Sequence, residues 1–247
     1  MRSVAAFAII CCAPAAHAGA PFIVPADERP SGHLMLEIEA SRNSTTVGSA
    51  DYRSYNVAPG EAYWLVDGLH IGAWLQTNFG TVGPDGPVDP SLLGVIQAGY
   101  ARQLPGWRWA VDAHAYTWVH PTPEVRATAE IHTGTIRPVV GIQHISIIGG
   151  DEGWQPFVTS LLAGAALRLA NVTVFSLFDA GLVHEMGRQN TFFAPGLWMD
   201  VVRALPESFT VGARIGVARN FGRRIGGAEV DSQGLWLTLH GRCDVGD

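Results

Sequence analysis

The stretch WRWAVDAHAYTWVH, residues 107–120, decides how this chain folds. In an extended strand successive side chains point to opposite faces. One face then carries Trp107, Trp109, Val111, Ala113, Ala115, Thr117 and Val119, and the other Arg108, Asp112, His114, Tyr116, Trp118 and His120. Every ionisable group falls on one side. No helical period of comparable length competes anywhere in the chain.

The same sorting recurs outward from that stretch. Val125, Ala127, Ala129 and Ile131 oppose Arg126, Thr128, Glu130 and His132. Leu69, Ile71, Ala73, Leu75 and Phe79 oppose His70, Trp74, Gln76 and Asn78. Phe209, Val211, Ala213, Ile215 and Val217 oppose Thr210, Gly212, Arg214, Gly216 and Asn220. Leu235, Leu237 and Leu239 oppose Trp236, Thr238, His240 and Arg242, and Leu34, Leu36, Ile38 and Ala40 oppose Glu37, Glu39 and Ser41. Turn signals separate the runs at Leu104-Pro105-Gly106, His120-Pro121-Thr122-Pro123, Gly149-Gly150-Asp151 and Gly222 to Gly227, with Gly80 to Pro90 read as the longest loop. The runs number roughly ten to twelve; an odd count would be unusual in a single-chain bacterial barrel, and twelve is preferred over ten.

Composition says what the two faces meet. Only 15% of the 247 residues are charged, against roughly 25% in soluble domains. Hydrophobic residues reach 47%, yet no apolar run approaches the ~18–20 residues of a membrane helix. A soluble barrel or sandwich would hide its apolar face and show Arg, Asp, Glu and His to water. That arrangement accounts for the alternation but not for eight tryptophans and so little charge. A closed antiparallel β-barrel in lipid accounts for all three, because its wet side is inside and closure leaves no strand edge unpaired. The expected fold is therefore all-β, an antiparallel transmembrane barrel of about twelve strands in the outer membrane of a Gram-negative bacterium. Trp107, Trp109, Trp198 and Phe221 are candidates for its aromatic girdles. The formal charge of −6 includes no basic stripe, so nucleic acid is not an expected partner, whereas outer-membrane lipids and small solutes are.

The N-terminus reads as an export signal over residues 1–18. Arg2 supplies the charged region, Val4 to Cys12 the apolar one, and Ala16-His17-Ala18 the cleavage site. Residues 19–247 then form the single barrel domain. Cys11 and Cys12 leave with the signal, and neither follows the small residue that a lipoprotein anchor requires. Cys243 alone remains, so no intramolecular disulfide can form. The chain's final aromatic residue is Trp236, whereas outer-membrane barrels commonly close their last strand on one at the very end.

On the polar face, His70, Asp112, His114, Glu130, His132 and Arg214 are the candidate lumen-lining residues. With Arg108 and Arg126 they mix both signs, a pattern able to select solutes by charge. Asp112 with His114, and Glu130 with His132, share a face, but a zinc site needs three or four converging ligands, so no metal and no cofactor is expected.

One apolar face breaks the rule. Val140, Ile142 and Ile148 share theirs with His144 and Ser146, within Gly141-Ile142-Gln143-His144-Ile145-Ser146, and Trp154-Gln155 follows. A histidine beside a serine can act as the base that activates its hydroxyl when a third group orients the imidazole. The segment resembles outer-membrane phospholipase A and, more loosely, the lipid A 3-O-deacylases, barrels with a His-x-Ser pair on the membrane-facing wall. The resemblance implies Ser146 as nucleophile, His144 as base and Gln155 as the orienting group. Ile147-Ile148 stands here where that family has Asn-Gly, and Gln155 where it has Asn.

A second likeness covers the mature N-terminal third. Pro30-Ser31-Gly32-His33-Leu34-Met35-Leu36-Glu37-Ile38-Glu39, followed by Tyr63-Trp64-Leu65-Val66-Asp67-Gly68-Leu69-His70, resembles the opening of outer-membrane transporters grouped with phenol degradation and hydrophobic-compound uptake. It implies a channel for small solutes or an envelope role, the first functional reading. A lipid hydrolase using Ser146 and His144 is the alternative, and a soluble periplasmic binding barrel the third.

Overall fold

A computed structural model describes residues 28–47, 50–83, 86–87, 91–117, 121–149, 153–170, 172–184, 191–205, 208–220, 224–225, 228–229 and 232–245. The expected signal at 1–18 and the candidate girdle residue Phe221 lie outside them, as do Trp118 to His120.

Twelve long strands form one sheet: β1 (Leu34–Val47), β2 (Ala50–Val66), β3 (Leu69–Gly83), β4 (Ser91–Leu104), β5 (Trp107–Thr117), β6 (Pro121–Ile131), β7 (Ile136–Gly149), β8 (Gly153–Leu169), β9 (Val172–His184), β10 (Thr191–Ala204), β11 (Phe209–Asn220) and β12 (Ser232–Val245). Each is antiparallel to its neighbours in sequence. β12 returns to β1, pairing from Leu34 with Val245 to Val47 with Ser232, and so closes the barrel. Lengths run from the 11 residues of β5 to the 17 of β2, and about 9–11 suffice for a tilted strand to cross a bilayer.

Two turns differ from expectation. The glycines of the anticipated 80–90 loop are partly strand: β3 continues through Gly83, and Gly86–Pro87 pairs back onto Val82–Gly83. The longest interval between two of the long strands is instead 221–231, within which Arg224–Ile225 pairs with Ala228–Glu229. Pro121 and Pro123 also belong to a strand rather than a turn, because β6 opens on Pro121, where a proline withholds little from the ladder. The turn at Pro105-Gly106 is as read, with Gly106 taking a φ of 84° that disfavours a side chain. The short turns at 67–68, 105–106 and 170–171 share one rim with the start of β1 and the end of β12. Short turns mark the periplasmic rim of such barrels.

Burial decides between lipid and water. Leu239 and Leu161 are each 67% exposed on the outer face, whereas Glu124 and Glu130 are 0% exposed inside. A soluble protein sorts these residues the other way. The barrel is therefore transmembrane, and the soluble binding-barrel expectation is overturned. Trp107 and Tyr63 stand exposed near the periplasmic rim, where Trp109 packs on Tyr100, and Tyr55 stacks on Phe79 toward the opposite rim. These are the two girdles that fix a barrel's height in the bilayer. Of the other girdle candidates, Trp198 lies on β10 with its side chain outside the described set. Trp236 points inward and β12 continues past it to Val245, so it closes no rim.

Candidate functional site: a filled, charged lumen

The inward residues form four linked groups. Glu124 on β6 is the hub of the first. It accepts hydrogen bonds from Arg126 Nη2 at 2.6 Å, Gln143 Nε2 at 2.8 Å and Tyr116 Oη at 2.8 Å, and His114 Nδ1 stands 4.0 Å away. Glu130 is the hub of the second. Arg108 Nη2 meets its Oε2 at 2.6 Å, while Arg137, Arg168 and His132 approach its Oε1, each at 3.4 Å.

The third group crosses a strand. His70 of β3 and Asp112 of β5 meet at 3.2 Å over β4, and the Gln97 amide donates to Asp112 Oδ1 at 3.1 Å. The pairing row runs His70, Gly99, Asp112. A Cβ on Gly99 would strike the Asp112 carboxylate and stand 2.6 Å from the His70 ring. Gly99→Ala is accordingly expected to destabilise the barrel by about 1–3 kcal/mol through overpacking, read as a lower temperature for the gel-shift transition of the unboiled protein. An unchanged transition would mean that the cluster relaxes freely.

The fourth group joins β11 and β12 to β1, with Arg214 Nη1 on Glu39 Oε1 at 3.1 Å and Arg242 within 3.7 Å of Glu37. All six expected lining residues thus face inward or stand at the inner rim. His70, Asp112, His114, Glu130 and Arg214 are buried in strands, and His132 is half-buried in the turn after β6. Burial and the guanidinium groups of Arg137, Arg108 and Arg168 hold the His132 pKa below its usual range, against the pull of Glu130. Gln103 Nε2 donates to its Nδ1 at 3.2 Å. Asp112 and His114, which share a face, take their partners His70 and Glu124 from other strands, whereas Glu130 and His132 approach each other at 3.4 Å. Glu124, a hub like Glu130, escaped the sequence reading. It shares the parity of Arg126 and Thr128, but the apparent turn at His120 to Pro123 masked the start of its strand.

Apolar surface lies beside these charges. Met35, Ala62, Trp64, Trp74, Val95 and Tyr116 pack together along β1–β5. Val139, Leu162, Ala166, Phe175 and Leu177 of β7–β9 pack with Trp236 of β12. Three strands separate β12 from β8, so the Trp236 indole reaches into the lumen to join that wall. Since these side chains and the polar hubs are almost wholly excluded from solvent, the described residues fill the middle of the barrel.

The His-x-Ser pair sits elsewhere. Ser146 Oγ and His144 Nε2 share a hydrogen bond of 3.0 Å, and His144 Nδ1 meets Thr159 Oγ1 at 2.9 Å. The chain lies on the outward side of β7 and β8, with Val140 and Ile142 exposed beside it. Gln155 pairs through its backbone with Ile147, and its side chain lies outside the described set. Thr159 therefore occupies the position against Nδ1 that was expected of Gln155. Ser146 has no exposed surface.

An antiparallel barrel with an apolar exterior and a charged, filled interior is an outer-membrane β-barrel. No family model matches the chain, and no curated protein does. Among solved structures it is similar to an outer membrane channel from Pseudomonas putida F1, at a TM-score of 0.63 and 9% identity, over 92% of this chain and 99% of that one. It is also similar to the translocator domain of the autotransporter NalP from Neisseria meningitidis, at 0.53 and 10% identity, over 85% of this chain and 88% of that one. At such identities the shared property is the barrel itself.

Proposed function

We propose that this protein is an outer-membrane channel for small apolar or aromatic solutes, held in an occluded state, and that residues 1–18 direct its export. The observation that carries the reading is the composition of the lumen wall. Trp64, Trp74, Tyr116, Phe175 and Trp236 present apolar surface inside a closed barrel, and the charges beside them are paired with one another rather than aimed at an open aqueous path. Self-neutralised charges give an ion little to bind, whereas an apolar solute finds partners along the aromatic wall. His70, Asp112, His114, Glu130, His132 and Arg214 then form the polar part of the wall that a solute passes. The P. putida neighbour is described as an outer membrane channel, and the likeness of the N-terminal third to hydrophobic-compound transporters points the same way.

The test is uptake of labelled phenol or toluene by porin-deficient cells, with and without the barrel, alongside planar-bilayer recording. Faster aromatic uptake with little steady ion current is expected. A large steady current without any gain in aromatic uptake would replace this reading by an ion porin, and neither signal would leave a structural envelope protein.

The Ser146–His144–Thr159 chain carries a second reading, a lipid hydrolase. Its enclosed serine offers no approach to an ester carbonyl. In lipid, three neighbouring polar groups satisfy one another at low cost, which explains the chain without chemistry. Ser146→Ala is expected to leave fatty-acid release from phospholipid vesicles at the parent's background level. Release by the parent that vanishes in the variant would install the hydrolase instead.

A further inference from the structure

Toward the rim opposite the short turns, the outward face carries two described arginines where lipid-facing strands ordinarily carry apolar residues, as the other rim does at Arg102 and Arg203. Arg42 on β1 and Arg53 on β2 are both exposed. Arg42 pairs in register with Tyr55, and Arg53 with the neighbouring Ser44, so the two guanidinium-bearing positions are diagonal neighbours. Neither has a hydrogen-bond or ion-pair partner among the described residues. Asp51, the outward carboxylate nearest in sequence, takes the Thr46 hydroxyl at 2.7 Å instead.

Height on the wall explains why they are tolerated. β1 ends at Val47 and β2 begins at Ala50, on the rim opposite the short turns. Tyr55, level with Arg42, stacks on Phe79 with ring centroids 6.2 Å apart, marking the girdle of that rim. An arginine at the bilayer midplane costs roughly 2–4 kcal/mol but about 0–1 near the interface. With the short turns and termini periplasmic, this rim belongs to the outer leaflet.

Directly beside Arg42 the wall is hollow. A groove of about 550 Å³ runs over β1, β2 and β10–β12, and its lining is overwhelmingly apolar. Ala40 and Ala213 flank Leu239 in one pairing row, and Arg42, Leu237, Ile215 and Met199 form the next. The two alanines make the dip. A hydrocarbon trough edged by Arg42, with Arg53 diagonal to it and neither partnered among the described residues, matches a molecule with an acyl chain and an anionic head.

We propose that this face seats a phosphorylated, multiply acylated glycolipid of the outer leaflet, with its phosphates on Arg42 and Arg53 and an acyl chain in the hollow beside Leu239. Arginine suits the head because its planar fork binds phosphate in a bidentate way. The inference rests on the transmembrane fold and not on the channel reading. Conductance and binding therefore fail independently.

The test is native mass spectrometry of the purified full barrel titrated with diphosphorylated lipid A. Arg42→Gln combined with Arg53→Gln is expected to weaken binding at least about tenfold, the loss of one or two charge-assisted contacts. Ala213→Phe, which fills the hollow and keeps both charges, is expected to weaken it as well. Arg102→Gln, at the opposite rim beside Glu28, should bind as the parent does. All variants keep the unboiled gel shift, since none removes an interior contact. Equal binding by the arginine variant overturns the proposal. So does equal binding of phosphatidylglycerol, which would make the face a general anionic-lipid surface, or a dimer that excludes lipid A, which would make it an interface between two copies.

Discussion

Replacing Glu130 by Ala is expected to cost the folded barrel roughly 3–5 kcal/mol, the usual penalty for removing one partner of a buried ion pair. Glu130 is wholly enclosed and faces three arginines and a histidine, with Arg108 at 2.6 Å. Arg137 and Arg168 keep some contact with water, with side chains 28% and 33% exposed. Arg108 does not, so its charge loses a 2.6 Å partner that water cannot replace. Equilibrium unfolding in urea from lipid vesicles, followed by tryptophan fluorescence, measures the loss. The control removes both charges: Arg108→Met with Glu130→Gln is expected to recover much of it, because the desolvation cost of the pair disappears with the pair. If the double variant is no more stable than Glu130→Ala, the loss reflects packing and the broken-ion-pair account is wrong.

That hub also shows what could be read from residues alone. Side chains alternate with a period of two, so the parity of a single confirmed position assigns a whole strand to its faces. The sorting of Trp107 to Thr117, Val125 to His132 and Leu235 to Arg242 therefore passed intact into the barrel, together with the inward set and the strand number. The outward placement of His144 and Ser146 was legible for the same reason, since Val140 and Ile142 share their parity. What parity cannot carry is distance around the barrel. Nothing local to Arg168 or Arg137 says that both meet Glu130, or that His70 passes over Gly99 to reach Asp112. Those contacts depend on register and closure, which couple residues far apart in the chain. The filled lumen was hidden likewise. Inward tryptophans look the same in sequence whether they line an open path or meet across it, so the parity that placed Trp236 on the polar face did not say how far its indole reaches.

Trp236→Ala is therefore expected to open what the parent keeps shut. The indole joins β12 to the Val139, Leu162, Phe175 and Leu177 wall. Space for it comes from Gly234, whose added Cβ would collide with the ring, and its register partner on β11 is Gly216. Small residues on this side leave no side chain to fill the void. Two effects follow from one substitution. The barrel loses roughly 3–5 kcal/mol of packing, the range for a buried tryptophan cut to alanine. In the same variant, planar-bilayer recordings are expected to show resolvable openings where the parent shows few or none, since water can enter the vacated cross-section. Trp107→Ala, on the exposed outer face of β5, removes the same side chain without touching the lumen and should leave the recordings unchanged. The gel shift of the unboiled protein separates opening from unfolding: a variant that keeps the shift and conducts is an opened barrel. A variant that keeps the shift and stays silent would mean that the ion-paired hubs around Glu124 and Glu130 close the lumen without help from Trp236. The gate would then be electrostatic, and Glu124→Ala would be the substitution that opens it.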